Sequence, residues 1–234
     1  MELVKGADIN SFYLRSMLSL TEENYLKAIF HLSAAEGHVG MNELSKELGT
    51  KMSTANAMMK RLSLKGLLDY ESYKPVKLTE RGRREAALVV RRHRLTEMFL
   101  VEVMHFSWDQ VHEIAEQMEH IRSSVFFDKM DAMLGYPSSD PHGSPIPDKD
   151  GRVKRRKEKK LSECRAGDKL LLSSVNQGSD DFLRFLSQRR LTLGLSFTVM
   201  KVESFDGSMQ ITVKGRRPEF LSREVCEKLM VCQA

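Results

Sequence analysis

Two imidazoles and two carboxylates, His112, Glu116, Glu119 and His120, follow one another at steps of four, three and one along FSWDQVHEIAEQMEHIRSS. At about 100° per residue, a helix would place all four on one narrow face. A merely solvated face carries Lys and Glu at salt-bridge spacing, whereas this mixture of nitrogen and oxygen donors suits a divalent transition metal. The stretch HEIAE begins like the zinc helix of metallopeptidases, yet the position four residues after His112 is Glu116 and not a second His. EQMEH misses the inverted form of that motif for the same reason. The spacing therefore favours metal binding without hydrolysis, with a metal-dependent hydrolase on a helical scaffold as the alternative from another class.

A second segment supplies matching donors. VVRRHRLTEMFLVEVM sets His93 and Glu97 one helical turn apart, while Val90, Leu95, Met98, Phe99 and Val103 are spaced to face a core. Alone, such a pair reads as a surface ion pair; beside a second donor-bearing helix it reads as a ligand set. Ser107 with Gln110 looks like a capping box for the first helix, and Phe106 with Val111 like a hydrophobic staple. His31, His38, His105 and His142 show no ligand spacing and are expected to be structural or solvated.

The 234 residues allow two or three small domains, and 41% hydrophobic with 29% charged residues is ordinary for a globular protein. No run is long and apolar enough for a membrane helix. The first twenty residues carry Asp8, Asn10 and Arg15 inside any apolar core and no convincing cleavage site, so a cytoplasmic location is expected. Cys164, Cys226 and Cys232 are odd in number and lack CxxC spacing, against both a disulfide scaffold and a thiolate zinc site. A net charge of +5 and a pI near 9.1 are compatible with a polyanionic partner.

That partner is suggested by the N-terminal third. TEENYLKAIFHLSAAEG has acidic residues in a first turn and Tyr25, Ile29 and Leu32 at helical spacing, ending before Gly37. Asn42 is placed to cap a short helix through Leu48, Gly49 to Lys51 to form a tight turn, and Met52 or Ser53 to open a helix with Ala55, Met59 and Leu62 inward. This is helix-turn-helix spacing. LLDYESYKPVKLTERG then reads as a β-hairpin wing around Tyr73, Lys74 and Pro75. Thr50, Lys51, Ser53, Thr54, Asn56 and Lys60, with Tyr73 and Lys74 on the wing, form the expected face toward double-stranded DNA: hydroxyls and Lys for phosphates, Asn56 for an adenine edge. An ordinary solvated helix is the competing reading, and the adjacent wing weighs against it. Arg81, Arg83 and Arg84 could add phosphate contacts.

After SVFFDKMDAMLGYP the chain changes character. PSSDPHGSPIPDKDG is too rich in Pro, Gly and Ser for regular structure, and RVKRRKEKK has seven basic residues in nine, either a solvated tether or a nucleic-acid contact. DKLLLSSV, LSFTVMKVES and MQITVKG are short β-type runs with DDFLRFLSQRR between the first two, as in a small β-barrel. The expected divisions are a winged-helix domain over 1–83, with an N-terminal extension over 1–20, a helical domain over 84–137, a linker over 138–160 and a β-domain over 161–234.

RRHRLTE, VHEIAEQMEH and DPHGSPIP, in that order behind a winged helix and ahead of a small β-domain, together resemble the diphtheria toxin repressor family of metal-dependent transcriptional regulators. The resemblance spans roughly residues 20 to 234. It implies a mainly α protein with a small β part: an N-terminal winged helix-turn-helix, an α-helical metal-binding and dimerisation domain, and a C-terminal SH3-like β-barrel. It implies a repressor, not an enzyme. The implied activating metal site is Asn24, Glu116, Glu119 and His120, and the implied second site His93, Glu97 and His112 with Asp181 as an extra ligand from the β-domain.

Iron-responsive members carry Cys where this chain has Glu116, and manganese-responsive members carry Glu; a hard carboxylate in place of a soft thiolate favours Mn2+, with Fe2+ the alternative. The manganese branch with a close binuclear site uses first-helix carboxylates where this chain has Asn24 and Lys27, which points to two separated sites. The implied protein is a cytoplasmic homodimer that represses metal-uptake genes from a palindromic operator. A metal-buffering or ferrous-transport accessory role, prompted by the β-domain, is disfavoured by the wing, which it does not need.

Overall fold

Ser19 closes both ends of a capping box with Glu22: its hydroxyl accepts the Glu22 amide at 3.2 Å and its amide donates to the Glu22 carboxylate at 2.7 Å. In the computed structural model, which describes residues 18–154, 156–176 and 179–234, this box starts α1 (Leu20–Leu32). The first seventeen residues of the expected extension, and Arg155 of the basic run, lie outside the described residues. The described chain forms two compact units, one reaching Arg91 and including Pro147–Arg152, the other made of Arg92–Ile146 and Val153–Ala234.

In the first unit α1 is followed by α2 (Met41–Glu47) and α3 (Met52–Leu64). α2 starts one residue before the expected cap at Asn42. Val39 pairs with Val76 across an isolated bridge, and the chain leaves that bridge through an extended Gly40, which takes the cap position without a side-chain bond. α3 opens at Met52 and buries Ala55, Met59 and Leu62 as its period requires. These pack with Tyr25, Leu26, Ile29, Leu44 and Leu67 into one apolar core. The hairpin of β1 (Leu68–Asp69) and β2 (Lys77–Leu78) is antiparallel and supplies the wing. α4 (Glu80–Glu102) begins so close to β1 that a Cβ on Gly82 would lie 1.9 Å from the Leu67 carbonyl oxygen, so only glycine fits.

One buried acid ties the reading helix to α1. Glu22 is fully buried, with Arg61 Nε at 2.9 Å and Lys65 Nζ at 2.8 Å, both at the C-terminal end of α3. Burial alone would raise its pKa, but Lys65, the Ser19 amide and Arg61 outweigh burial and hold it below the ordinary carboxylate value.

The second unit contains the C-terminal part of α4, then α5 (His112–Met118) and α6 (Ser124–Met133). α5 is shorter than the motif suggested. Ser107 N–H donates to Gln110 Oε1, half of the expected box, but the Ser107 hydroxyl is taken by the Asp109 carboxylate, and residues 107–111 turn instead of winding. Glu119 becomes the C-cap of α5 and His120 follows it in a turn. Leu95, Phe127, Met130 and Ile146 form a small core among these elements. Ile146 belongs to the stretch read as linker, and that stretch is irregular but packed up to this point. Asp140 is buried, and its carboxylate accepts the amides of His142 and Ser144, each at 2.9 Å.

The β-domain is one antiparallel sheet in the order β3 (Lys159–Lys160), β8 (Leu229–Gln233), β4 (Lys169–Val175), β5 (Ser196–Val202), β6 (Met209–Thr212), β7 (Glu219–Leu221). Register shifts at Leu172/Ser174 and Val199/Lys201 bend it, as bulges do, around Leu161, Leu170, Leu172, Val199, Ile211 and Val231. α7 (Asp180–Gln188), capped by Ser179, and α8 (Arg223–Lys228), capped by Ser222, complete this SH3-like domain.

Candidate metal centre and DNA-reading face

Within the second unit, α4 contributes His93 and Glu97, buried and one turn apart, with His93 Nε2 3.0 Å from Glu97 Oε1. α5 brings His112 Nδ1 to 3.4 Å from the same oxygen. The turn after α6 brings His142 Nδ1 to 3.7 Å from Glu97 Oε2, with Asp140 beside it. Two overlapping donor groups result, His93–Glu97–His112 and Glu97–Asp140–His142, each with ligand atoms within 4.8 Å of one another. Glu97 is common to both.

The residues expected at the other site join the same network. Glu119 Oε2 lies 2.6 Å from His93 Nδ1, and Glu119 Oε1 lies 3.6 Å from His120 Nε2. Glu116, half-exposed, lies 3.6 Å from His112 Nε2. Arg92 donates to the Glu119 carbonyl and so fixes the end of α5 against α4. The two expected ligand sets are thus one line of alternating carboxylates and imidazoles, His120, Glu119, His93, Glu97, His112, Glu116. Asn24 is exposed on α1 of the first unit. Asp181 stands exposed on α7, bonded to Arg184 at 2.6 Å and outside both donor groups.

His142 corrects the expectation of a solvated or structural histidine, and Asp140 was not singled out at all. Neither sits at helical spacing from another donor; the acid-Pro-His order of DPHGSPIP was the available signal. Electrostatics at this end are strained. Burial pushes the Glu97 carboxyl up, but the adjacent imidazoles of His112, His142 and His93 outweigh it and hold the pKa well below the usual range. Asp140 is raised, by burial and then by the negative charge of Glu97, against the opposing pull of Arg94. Burial lowers the His142 pKa, but contact with Glu97 raises it by more. Arg94, 3.3 Å from Asp140, is lowered by burial despite Asp140 and Glu97. Two buried carboxylates side by side, ringed by imidazoles and free of thiolates, are a donor set that a hard-to-borderline divalent cation fits.

On the first unit, Lys51, Ser53, Thr54 and Lys60 are exposed on and just ahead of α3, and Thr50 and Asn56 are half-buried. Thr50 Oγ1 shares a hydrogen bond with the Tyr25 hydroxyl at 3.3 Å. Tyr70 donates to the Asn56 carboxamide oxygen at 2.8 Å and orients that amide, a partner the sequence pattern did not indicate. At the tip of the wing Tyr73 is fully exposed with φ 68°, and Lys74 pairs with Glu71 at 2.8 Å.

Comparison with known proteins places these features. Models of the iron dependent repressor N-terminal DNA binding domain and of the iron dependent repressor metal binding and dimerisation domain match residues 17–76 and 79–148, and a FeoA domain model matches 159–232. A solved manganese-dependent transcriptional repressor in complex with manganese is 32% identical with a TM-score of 0.84, the match covering 91% of this chain and 100% of that one. The chain belongs to the diphtheria toxin repressor family.

Members of the diphtheria toxin repressor family are metal-dependent transcriptional repressors, not enzymes, which sets the hydrolase alternative aside. The iron-dependent repressor IdeR of Mycobacterium tuberculosis is 34% identical over 128 residues, 54% of this chain and 55% of the relative. The transcriptional regulator MntR of Oceanobacillus iheyensis is 27% identical over 136 residues, 58% of this chain and 86% of the relative. The match thus spans about half the length of the mycobacterial relatives. Every donor from His93 to His142 falls inside the family's metal-binding and dimerisation model, whereas Asn24 falls in the DNA-binding model and Asp181 in the FeoA model. Among the described residues no helix is long and apolar enough to cross a membrane.

Proposed function

We propose that this chain is a cytoplasmic, homodimeric transcriptional repressor that binds a palindromic operator when loaded with Mn2+, and that it governs metal-uptake genes. The observation that carries the reading is the buried nitrogen and oxygen donor network on Glu97, His93 and Glu119. Glu116, Glu119 and His120 are the proposed activating ligands from this unit, with His93, Glu97 and His112 as the second set, now joined by Asp140 and His142. Asn24 and Asp181 remain expectations of the resemblance. The absence of any thiolate from these sets favours Mn2+; Fe2+ is the second reading, supported by the iron-named relatives.

A bound divalent cation supplies positive charge that offsets the crowded carboxylates. The rest of the work belongs to the chain: Arg92 holds the end of α5, His93 bridges Glu97 to Glu119, and Glu22 holds α3 on α1. On the DNA side, α3 has no acidic residue in its first turn, so its N-terminal amides and Lys51 present positive charge to phosphate. Asn56, steered by Tyr70, is the proposed base reader.

Fluorescence anisotropy on a labelled operator duplex, with Mn2+ and with chelator, tests the reading. The wild-type chain is expected to bind at least ~5-fold more tightly with Mn2+, and Glu119→Ala to lose that difference while still folding. Equal Mn2+ dependence in the two proteins would contradict the assignment.

A further inference from the structure

Besides its amide bond to Asp140 and its approach to Glu97, His142 is held by the β-domain and by a loop that the β-domain grips. Its carbonyl accepts the Val175 amide of β4 at 2.8 Å. The next residue, Gly143, has φ 88°, and a Cβ there would lie 2.3 Å from the Ser173 carbonyl oxygen, so this turn sits directly on β4. The imidazole stacks on Trp108, with ring centroids 5.8 Å apart and planes 19° apart, and its Nε2 lies 2.9 Å from the Trp108 carbonyl oxygen. A carbonyl only accepts, so Nε2 carries the hydrogen, and in the neutral ring the lone pair is on Nδ1, the atom that faces Glu97. Trp108 in turn packs against the β-domain core and donates its indole N–H to Ser187 Oγ on α7 at 2.8 Å. Its neighbour Asp109 lies 3.6 Å from Arg184 of the same helix.

We propose that the β-domain positions a metal donor: α7 clasps the Trp108 loop, and that loop, with β4, fixes the His142 tautomer and aims Nδ1 at Glu97 and Asp140. This rests on reading the Glu97 network as a cation site. Asp181, expected as the ligand from this domain, serves the clasp through Arg184, which it holds at 2.6 Å. Outer partners that orient a ligating imidazole typically change metal affinity by about 10- to 100-fold when removed.

The test uses the full chain and Mn2+ alone, with the free-ion EPR signal reporting binding and Glu97→Gln identifying which bound ion belongs to this cluster. Trp108→Leu is expected to weaken that ion by ~10-fold or more. Ser187→Ala, which touches no donor and removes the indole's acceptor together with a local hydroxyl bond to the Leu183 carbonyl, is expected to weaken it less, and Ser187→Thr, which keeps both bonds, to restore it. In histidine-labelled apo-protein above the His142 titration, 15N spectra should show Nε2 protonated in the wild type and mixed tautomers in Trp108→Leu, a signature that a general loss of stability would not produce. Unchanged Mn2+ affinity in both Trp108→Leu and Ser187→Ala would overturn the proposal. Absence of Mn2+ binding by the wild-type chain would overturn the cation-site reading itself, and the clasp with it.

Discussion

Asn56 and Lys51 illustrate two kinds of contact that a reading helix makes. Tyr70 holds the Asn56 carboxamide in one orientation, which suits bidentate pairing with a base edge, while Lys51 stands exposed at the start of α3 with no such restraint. Asn56→Ala is expected to cost about 1–3 kcal/mol on the preferred operator and little on unrelated duplexes. Lys51→Ala should weaken all duplexes alike and reduce the slope of log affinity against log salt by about 1. Titrations on matched and scrambled duplexes at several salt concentrations separate the two; a uniform loss for Asn56→Ala would remove it from base reading. Tyr70→Phe should fall between wild type and Asn56→Ala if the orienting hydroxyl matters. The donors were legible in the sequence where helical spacing revealed them, as for His93 with Glu97 and His112 with Glu116. Asp140 and His142 were not, because they reach Glu97 from a turn, and no period relates a turn residue to a helix it packs against.

The helices of the reading head were legible because each carries a local signal: the Ser19–Glu22 box, the period of Ala55, Met59 and Leu62, and the wing between two short extended runs. α5 was overextended because the Ser107–Gln110 pair matches a box only until Asp109 competes for the hydroxyl. β8 escaped notice although it lies between β3 and β4, since it follows α8 without a Gly or Pro break, and its alternation of buried and half-buried residues is short. The salt-bridged joint between α1 and α3 was equally invisible: Glu22 reads as first-turn acid, and its partners Arg61 and Lys65 are 39 and 43 residues away. Glu22 is buried, but Arg61 and Lys65 reach solvent and stay hydrated without it, so Glu22→Gln is expected to destabilise the protein by about 1 kcal/mol, the scale of a lost charge-assisted hydrogen bond. The pKa of Glu22 is lowered in the fold, so its stabilisation is present above the unfolded carboxylate value and is lost as pH falls through the lowered folded value. Thermal melts against pH should show the wild type losing more stability than Glu22→Gln in that acidic window; parallel curves would assign the joint no electrostatic role.

A repressor that reads a two-fold site needs a second copy of itself, and α6 offers an apolar face suited to that contact. Phe126 and Met133, seven residues apart, share one side of α6 and are exposed, as is Val125. Met133→Glu is expected to shift the proposed dimer toward monomer in light scattering and to weaken operator binding with it, because the half-sites of the proposed palindrome, one helical turn apart, would be spanned only by a dimer. An unchanged mass would move the contact elsewhere. In the proposed mechanism the Glu97 network and the reading head are energetically linked, and linkage is reciprocal: whatever factor the metal adds to DNA affinity, DNA must add to metal affinity. The most direct test is calorimetric titration of the apo-protein with Mn2+ in the absence and presence of saturating operator duplex. Mn2+ is expected to bind ~5- to 150-fold more tightly with the duplex present, by the same factor that Mn2+ raises duplex affinity; a Mn2+ affinity that the duplex leaves unchanged would contradict the account.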